Sequence, residues 1–145
     1  MSLSEWENSM SDSQTPQFET DAEFLQLIQP RDEKYVEELE EDIFDHGCHE
    51  AICVWGSILI DGHLRYSICR KWDIRFNIRR LFFQSRDEAE AYICTEQLKR
   101  NDLTSEYKKY LIGRRFRADM NIASADFLKN HPEKQLNADG QISQK

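Results

Sequence analysis

No stretch of this sequence approaches the roughly 18 consecutive apolar residues that a membrane-spanning helix needs, which sets membrane-embedded functions aside. The opening MSLSEWENSMSDSQTPQF has neither a basic start nor an apolar run, so it reads as neither a secretory signal nor a transit peptide. A cytoplasmic location with no membrane partner is the expectation. Cysteine is sparse and scattered: Cys48, Cys53, Cys69 and Cys94 form no CxxC pair, which points to free thiols rather than a disulfide framework. His46, Cys48 and His49 lack a second ligand pair at zinc-finger spacing and read as a turn between helix and strand. Internal repeats, heptads and low-complexity tracts are also missing.

What is present is a chain of 145 residues, 39% hydrophobic and 32% charged, enough for one globular domain around one core. The net charge of −8 argues against a non-specific nucleic-acid binder, yet the charge is unevenly placed. Residues 1–60 carry 15 acidic and 2 basic side chains, a net of −13, whereas residues 61–145 carry 12 acidic and 17 basic, a net of +5. Such polarity is compatible with an anion-binding second half and equally with two solvated faces.

Residues 1–20 are polar and expected to be disordered. The run AEFLQLIQP, residues 22–30, is consistent with an edge strand closed by Pro30. Asp32 is positioned to cap a helix with Val36, Leu39, Ile43 and Phe44 on its apolar face, ending at Gly47. A hairpin follows, with strands over 51–55 and 58–60 around Gly56-Ser57. A helix over 63–72 turns Ile68, Cys69 and Trp72 inward, and residues 75–83 return to a β-rich run. Ser85 with Glu88 forms a capping box for a helix reaching Arg100, with Ala89, Tyr92 and Ile93 inward. Thr104 caps a basic helix through 120, amphipathic through Tyr107, Tyr110, Leu111 and Phe116 and weakened at Gly113. A further short helix over 121–130 precedes a polar tail. The sum is an α+β fold, a small mixed sheet with packed helices, followed by a basic C-terminal helix.

The chemistry concentrates in ILIDGHLRYSICRKW, residues 58–72, where a strand hands over to a helix. A helix beginning there presents free N–H groups and the positive end of its dipole. Gly62 leaves room for a phosphate to approach the backbone, His63 adds a donor, and Arg65 can fork onto two phosphate oxygens. Asp61 beside a phosphate makes sense as a metal ligand or base. On spacing alone, an ordinary Asp-Gly turn with a surface arginine explains the same residues. Similarly, Glu96 and Arg100 are spaced as an i, i+4 surface pair.

Two motifs in this order, IDGHLRY after a hairpin and EQLKRNDL before a capped helix, resemble the ParB/sulfiredoxin superfamily in its ParB-like N-terminal domain, often called the ParB-like nuclease domain. The resemblance spans roughly residues 22–118; it implies a domain over 21–118, with 119–145 as short helix and flexible tail. It further implies a nucleotide site for CTP or ATP with Mg²⁺: Gly62, His63, Arg65 and Arg100 on the phosphates, Glu96 and Gln97 near the metal, and Tyr66 as a packing residue. Gln97 stands where the partition proteins use Asn. Leu64 replaces the first of their consecutive arginines, so the resemblance leaves nucleoside triphosphatase activity an open alternative and does not by itself imply their CTP hydrolysis and clamp cycle. His63 stands where sulfiredoxin needs its cysteine, which excludes that chemistry.

The implied function is that of a nucleotide-binding domain in a DNA-associated partition or regulatory protein, with DNA read by a downstream domain outside this sequence. Lys99, Lys108, Lys109, Arg114 and Arg115, interleaved with aromatics, are the candidates for DNA contact; packing on the acidic first helix or on a second copy in a homodimer explains the same stretch. Two enzyme readings stand beside this one: a small-molecule kinase with Asp61 and His63 as catalytic residues near the transferred phosphoryl, and a metal-dependent nuclease. A protein-interaction module with a vestigial pocket is the remaining alternative.

Overall fold

The structure, a computed structural model, describes residues 17–134. The expected disorder of residues 1–16 and the tail beyond 134 lie outside the described residues. The chain divides after Phe83 into two compact units. Within the described residues it is a mixed α+β protein with five α-helices and one three-stranded sheet.

The first unit contains α1 (Ala22–Gln26), α2 (Glu33–His46), β1 (Ile52–Trp55), β2 (Ile58–Asp61), α3 (His63–Trp72) and β3 (Ile78–Arg80). The strand order is β2-β1-β3, with β1 antiparallel to β2 and parallel to β3. β1 is the central strand, and its Ile52, Cys53 and Val54 are all buried, as expected of a short apolar run covered on both faces. Ile52, Val54 and Leu59 form one cluster with Phe18, Tyr66, Phe76 and Ile78 against it. A second cluster joins Ile43 of α2 to Ile68 and Cys69 of α3 and to Cys48. Each large apolar side chain so buried contributes about 1.5–3 kcal/mol.

Four expectations about this unit are corrected. Residues 17–20 are ordered: Glu19 bridges Ile58 in parallel, and its N–H donates to the Ser57 carbonyl at 2.7 Å. Residues 22–26 are helical rather than an edge strand, because Asp21 Oδ1 caps the Phe24 N–H at 3.1 Å and the i, i+3 pair Phe24 and Leu27 is fully buried. The β-rich run over 75–83 yields only the three residues of β3. Phe44 and Trp72, expected inside, are 60% and 45% exposed and meet edge to face at 5.2 Å. Phe44 lies about 100° around α2 from the buried Ile43, which takes it off the buried stripe.

The second unit pairs α4 (Arg86–Gln97) with α5 (Ser105–Asn130) and ends in a 3₁₀ turn, Pro132–Lys134. Ser85 and Thr104 cap the two helices as expected, each hydroxyl accepting the N–H three residues on. The reciprocal bond differs: the Glu88 carboxylate accepts the Gln84 N–H at 2.6 Å. α4 ends at Gln97 rather than Arg100, and α5 runs unbroken through Gly113 to Asn130, absorbing the separate helix expected over 121–130. Leu111 and Ala118 are buried seven residues apart, whereas Phe116 is 68% exposed because it sits about 140° around the helix from Leu111. No helix among the described residues is long and apolar enough to cross a membrane.

Candidate functional site: the turn from β2 into α3

β2 ends at Asp61 and α3 begins at His63, so one residue makes the turn. Gly62 holds φ 91°, ψ 26°, a left-handed conformation that costs other residues energy. A Cβ there would also meet Ile52 Cδ1 at 3.0 Å and Ile52 Cα at 3.5 Å. Glycine is therefore required by the fold itself, before any ligand is considered. The Gly62 N–H donates to Asp61 Oδ1 at 2.9 Å, which turns that carboxylate onto the turn. No side chain caps α3, and its first turn has no acidic residue, so the positive end of the helix is not neutralised from within.

His63 is the anomaly. Both ring nitrogens are buried without a hydrogen-bond partner among the described residues. An unsatisfied buried polar group costs about 1–3 kcal/mol, so the position carries a standing penalty. Burial pushes the imidazole pKa below its ordinary value, with the Asp61 charge opposing that shift. Between its lowered pKa and 6.5 the unfolded chain binds the proton and the folded chain does not, so stability rises with pH across that window and is lost as pH falls below 6.5. Urea unfolding between about pH 7.5 and 5.5 should show this as a slope of at most about 1.4 kcal/mol per pH unit, absent in His63→Leu.

Arg65, one turn in, is 22% exposed at its side chain and lies 3.4 Å from Glu50 Oε2, on a carboxylate that is 76% exposed. The Cys48 thiol donates to the Glu50 carbonyl at 3.4 Å, tying the backbone of that loop while leaving the Glu50 side chain in solvent. Tyr66 is a packing residue, as expected: its hydroxyl accepts the Phe18 N–H at 2.9 Å, and its ring meets Phe18 and Phe76 edge-on. The turn thus brings Asp61, Gly62, His63 and Arg65 together. Sequence reasoning missed Glu50, which is 15 positions from Arg65 and marked by no local spacing.

Glu96 and Gln97 close α4 and Arg100 follows three residues beyond it, all in the second unit. The i, i+4 pair is not formed: Glu96 accepts from Lys99 at 2.8 Å, while Arg100 donates to Gln97 Oε1 at 2.9 Å and to both carboxylate oxygens of Asp102 at 2.8 Å. Arg100 is 10% exposed at its side chain and Gln97 is buried. Among the described residues no cluster of three or more His, Cys, Asp or Glu is arranged to hold a metal. Glu96 alone offers a partly exposed carboxylate, which fits Mg²⁺ only in its usual mode of one or two carboxylates with waters and ligand phosphates.

Of the basic candidates, Lys99 is held by Glu96, Arg114 donates to the buried Glu90 at 2.8 Å, and Arg115 lies 3.7 Å from Asp119. Lys108 and Lys109 are exposed.

A small mixed sheet with a βαβ-like crossover, an uncapped helix after a left-handed glycine, and two packed helices downstream define a class of α+β domain. Within that class the fold is that of the ParB N-domain. Two solved structures of a pNOB8-like ParB N-domain align with TM-scores of 0.61 and 0.59 at 22% and 21% identity, covering 86% and 87% of this chain. The chain spans about half the length of those structures, 52% and 49%. No protein-family profile and no curated protein matches the sequence.

Proposed function

We propose that this chain is a nucleotide triphosphate-binding domain of partition type, with the phosphates on the turn from β2 into α3 and CTP or ATP as the ligand. The single observation that carries the reading is His63, whose two ring nitrogens are buried and unbonded at the uncapped start of a helix. Once the cover over the ring opens, a phosphate oxygen supplies the acceptor that the imidazole lacks, and the helix N-terminus favours its charge. Arg65 adds a forked, charge-assisted contact once its carboxylate partner moves away. Mg²⁺ carried with the triphosphate would neutralise part of its charge. The role in a DNA-associated partition or regulatory protein is the finer part of the proposal, supported by the ParB N-domain fold and by the exposed Lys108 and Lys109.

The test follows the four histidine imidazoles by NMR while CTP or ATP with Mg²⁺ is added. A saturable shift of the His63 resonances, with a rise in its pKa on binding, is expected. Shifts confined to His46, His49 or His131, or none at all, would overturn the assignment.

Glu50 supplies a second prediction. Its carboxylate stands where an anionic ligand of Arg65 would stand, and an exposed ion pair of this kind is worth up to about 1 kcal/mol. Glu50→Gln should tighten triphosphate binding by up to about fivefold, measured by calorimetry, with little change in fold stability.

A further inference from the structure

α2 and α3 leave a cleft of about 340 Å³ lined by Phe44, Trp72, Glu37, Glu40 and Glu41. Its floor is a pair of large aromatic rings, both exposed and in contact edge to face. Its rim is acidic. Glu40 accepts from Lys71 and from the Trp72 indole N–H, both at 2.7 Å, and these bonds hold its carboxyl below the usual range. Glu37 and Glu41 have no partner among the described residues. The Lys71 ammonium also lies 5.1 Å from the Trp72 ring centroid. The cleft therefore already displays the chemistry it selects, a cation held by carboxylate and indole together.

The second unit carries the complement. Ile112, Phe116 and Met120 recur every four residues on α5 and are 51%, 68% and 53% exposed. The N-terminal end of that stripe is bordered by the exposed Lys108 and Lys109. An apolar stripe with lysines beside it matches an apolar floor with glutamates around it, both in character and in sign of charge.

We propose that the Phe44–Trp72 cleft receives the Ile112–Phe116 face of α5 from a second copy of this chain. Phe116 packs on the aromatic floor, and Lys108 and Lys109 meet Glu37 and Glu41. Because the cleft and the stripe are different surfaces, the contact is head-to-tail: each copy has one of each, and association continues beyond two unless a ring closes.

Sedimentation velocity over a range of protein concentrations tests this on the full chain, with Phe44→Ser and Phe116→Ser as variants. Both substitutions remove exposed rings, so each variant keeps the wild-type circular dichroism spectrum. The wild type should associate with rising concentration, and less so as salt is raised. Each variant alone should sediment as a monomer. A 1:1 mixture of the two should form a dimer and nothing larger, because one contributes an intact stripe and the other an intact cleft. A wild type that stays monomeric at every concentration would overturn the proposal, leaving the cleft to another basic partner. Two monomeric variants that fail to rescue each other would overturn it in favour of a symmetric interface.

Discussion

Replacing Arg65 by Ala is expected to weaken triphosphate binding by about 10- to 100-fold. A charge-assisted hydrogen bond to phosphate contributes about 1.5–3 kcal/mol, and each 1.4 kcal/mol is a factor of ten. The only ion pair it removes is a 3.4 Å contact to a carboxylate that is 76% exposed, so the cost to folding is that of the packing of a side chain 22% exposed, checked by urea unfolding of the variant. A variant that keeps the wild-type unfolding midpoint and loses binding assigns the loss to the missing charge. Lys109→Ala, on an exposed position of α5, removes the same charge elsewhere and should leave affinity unchanged. Equal losses in both variants would reduce the turn to one part of a diffuse electrostatic attraction.

The largest effect on stability is expected at Glu90. Its carboxylate is 10% exposed and pairs at 2.8 Å with Arg114, itself 22% exposed, across α4 and α5. Burial pulls the Arg114 pKa down, and the Glu90 hydrogen bond and charge more than offset it. The neighbouring Cys94 thiol is pushed up to about 11, by burial first and then by the Glu90 charge. Removing one partner leaves a half-buried guanidinium, whose Nε already has no hydrogen-bond partner, without its counter-charge. Glu90→Ala should therefore cost about 2–4 kcal/mol in urea or thermal unfolding. Glu90→Leu combined with Arg114→Met, which removes both charges, should lie nearer the wild type than either single change.

Local features were legible in the sequence and distant ones were not. The caps at Asp32, Ser85 and Thr104 each accept the N–H three residues on, a relation that spacing displays directly. The hairpin and the helix over 63–72 were equally visible, because Gly56-Ser57 and Asp61-Gly62 punctuate strong apolar runs. The short α1 was misread because its Asp21 cap precedes a run too brief for a helical period to show. Gly113 did not break α5, since a single glycine costs about 1 kcal/mol and the helix is held by packing on α4 at Leu111 and Ala118.

The candidate site divides along the same line. Gly62, His63 and Arg65 stand out by type and order, but three facts that decide their meaning are tertiary. Ile52 beneath Gly62 fixes the glycine, the enclosure of His63 orphans its nitrogens, and Glu50 engages Arg65. The inward placement expected of Phe44, Trp72 and Phe116 also failed: Phe44 lies about 100° from the buried Ile43, Trp72 ends its helix, and Phe116 lies about 140° from the buried Leu111.

The most direct measurement of the central claim is a calorimetric titration of CTP, ATP, GTP and UTP, each with Mg²⁺, into the wild-type chain at neutral pH. The account predicts saturable, micromolar binding of CTP or ATP at one site per chain. No heat from any of the four, with a chain whose circular dichroism shows it folded, would contradict it and leave the turn from β2 into α3 as a structural feature of the fold alone.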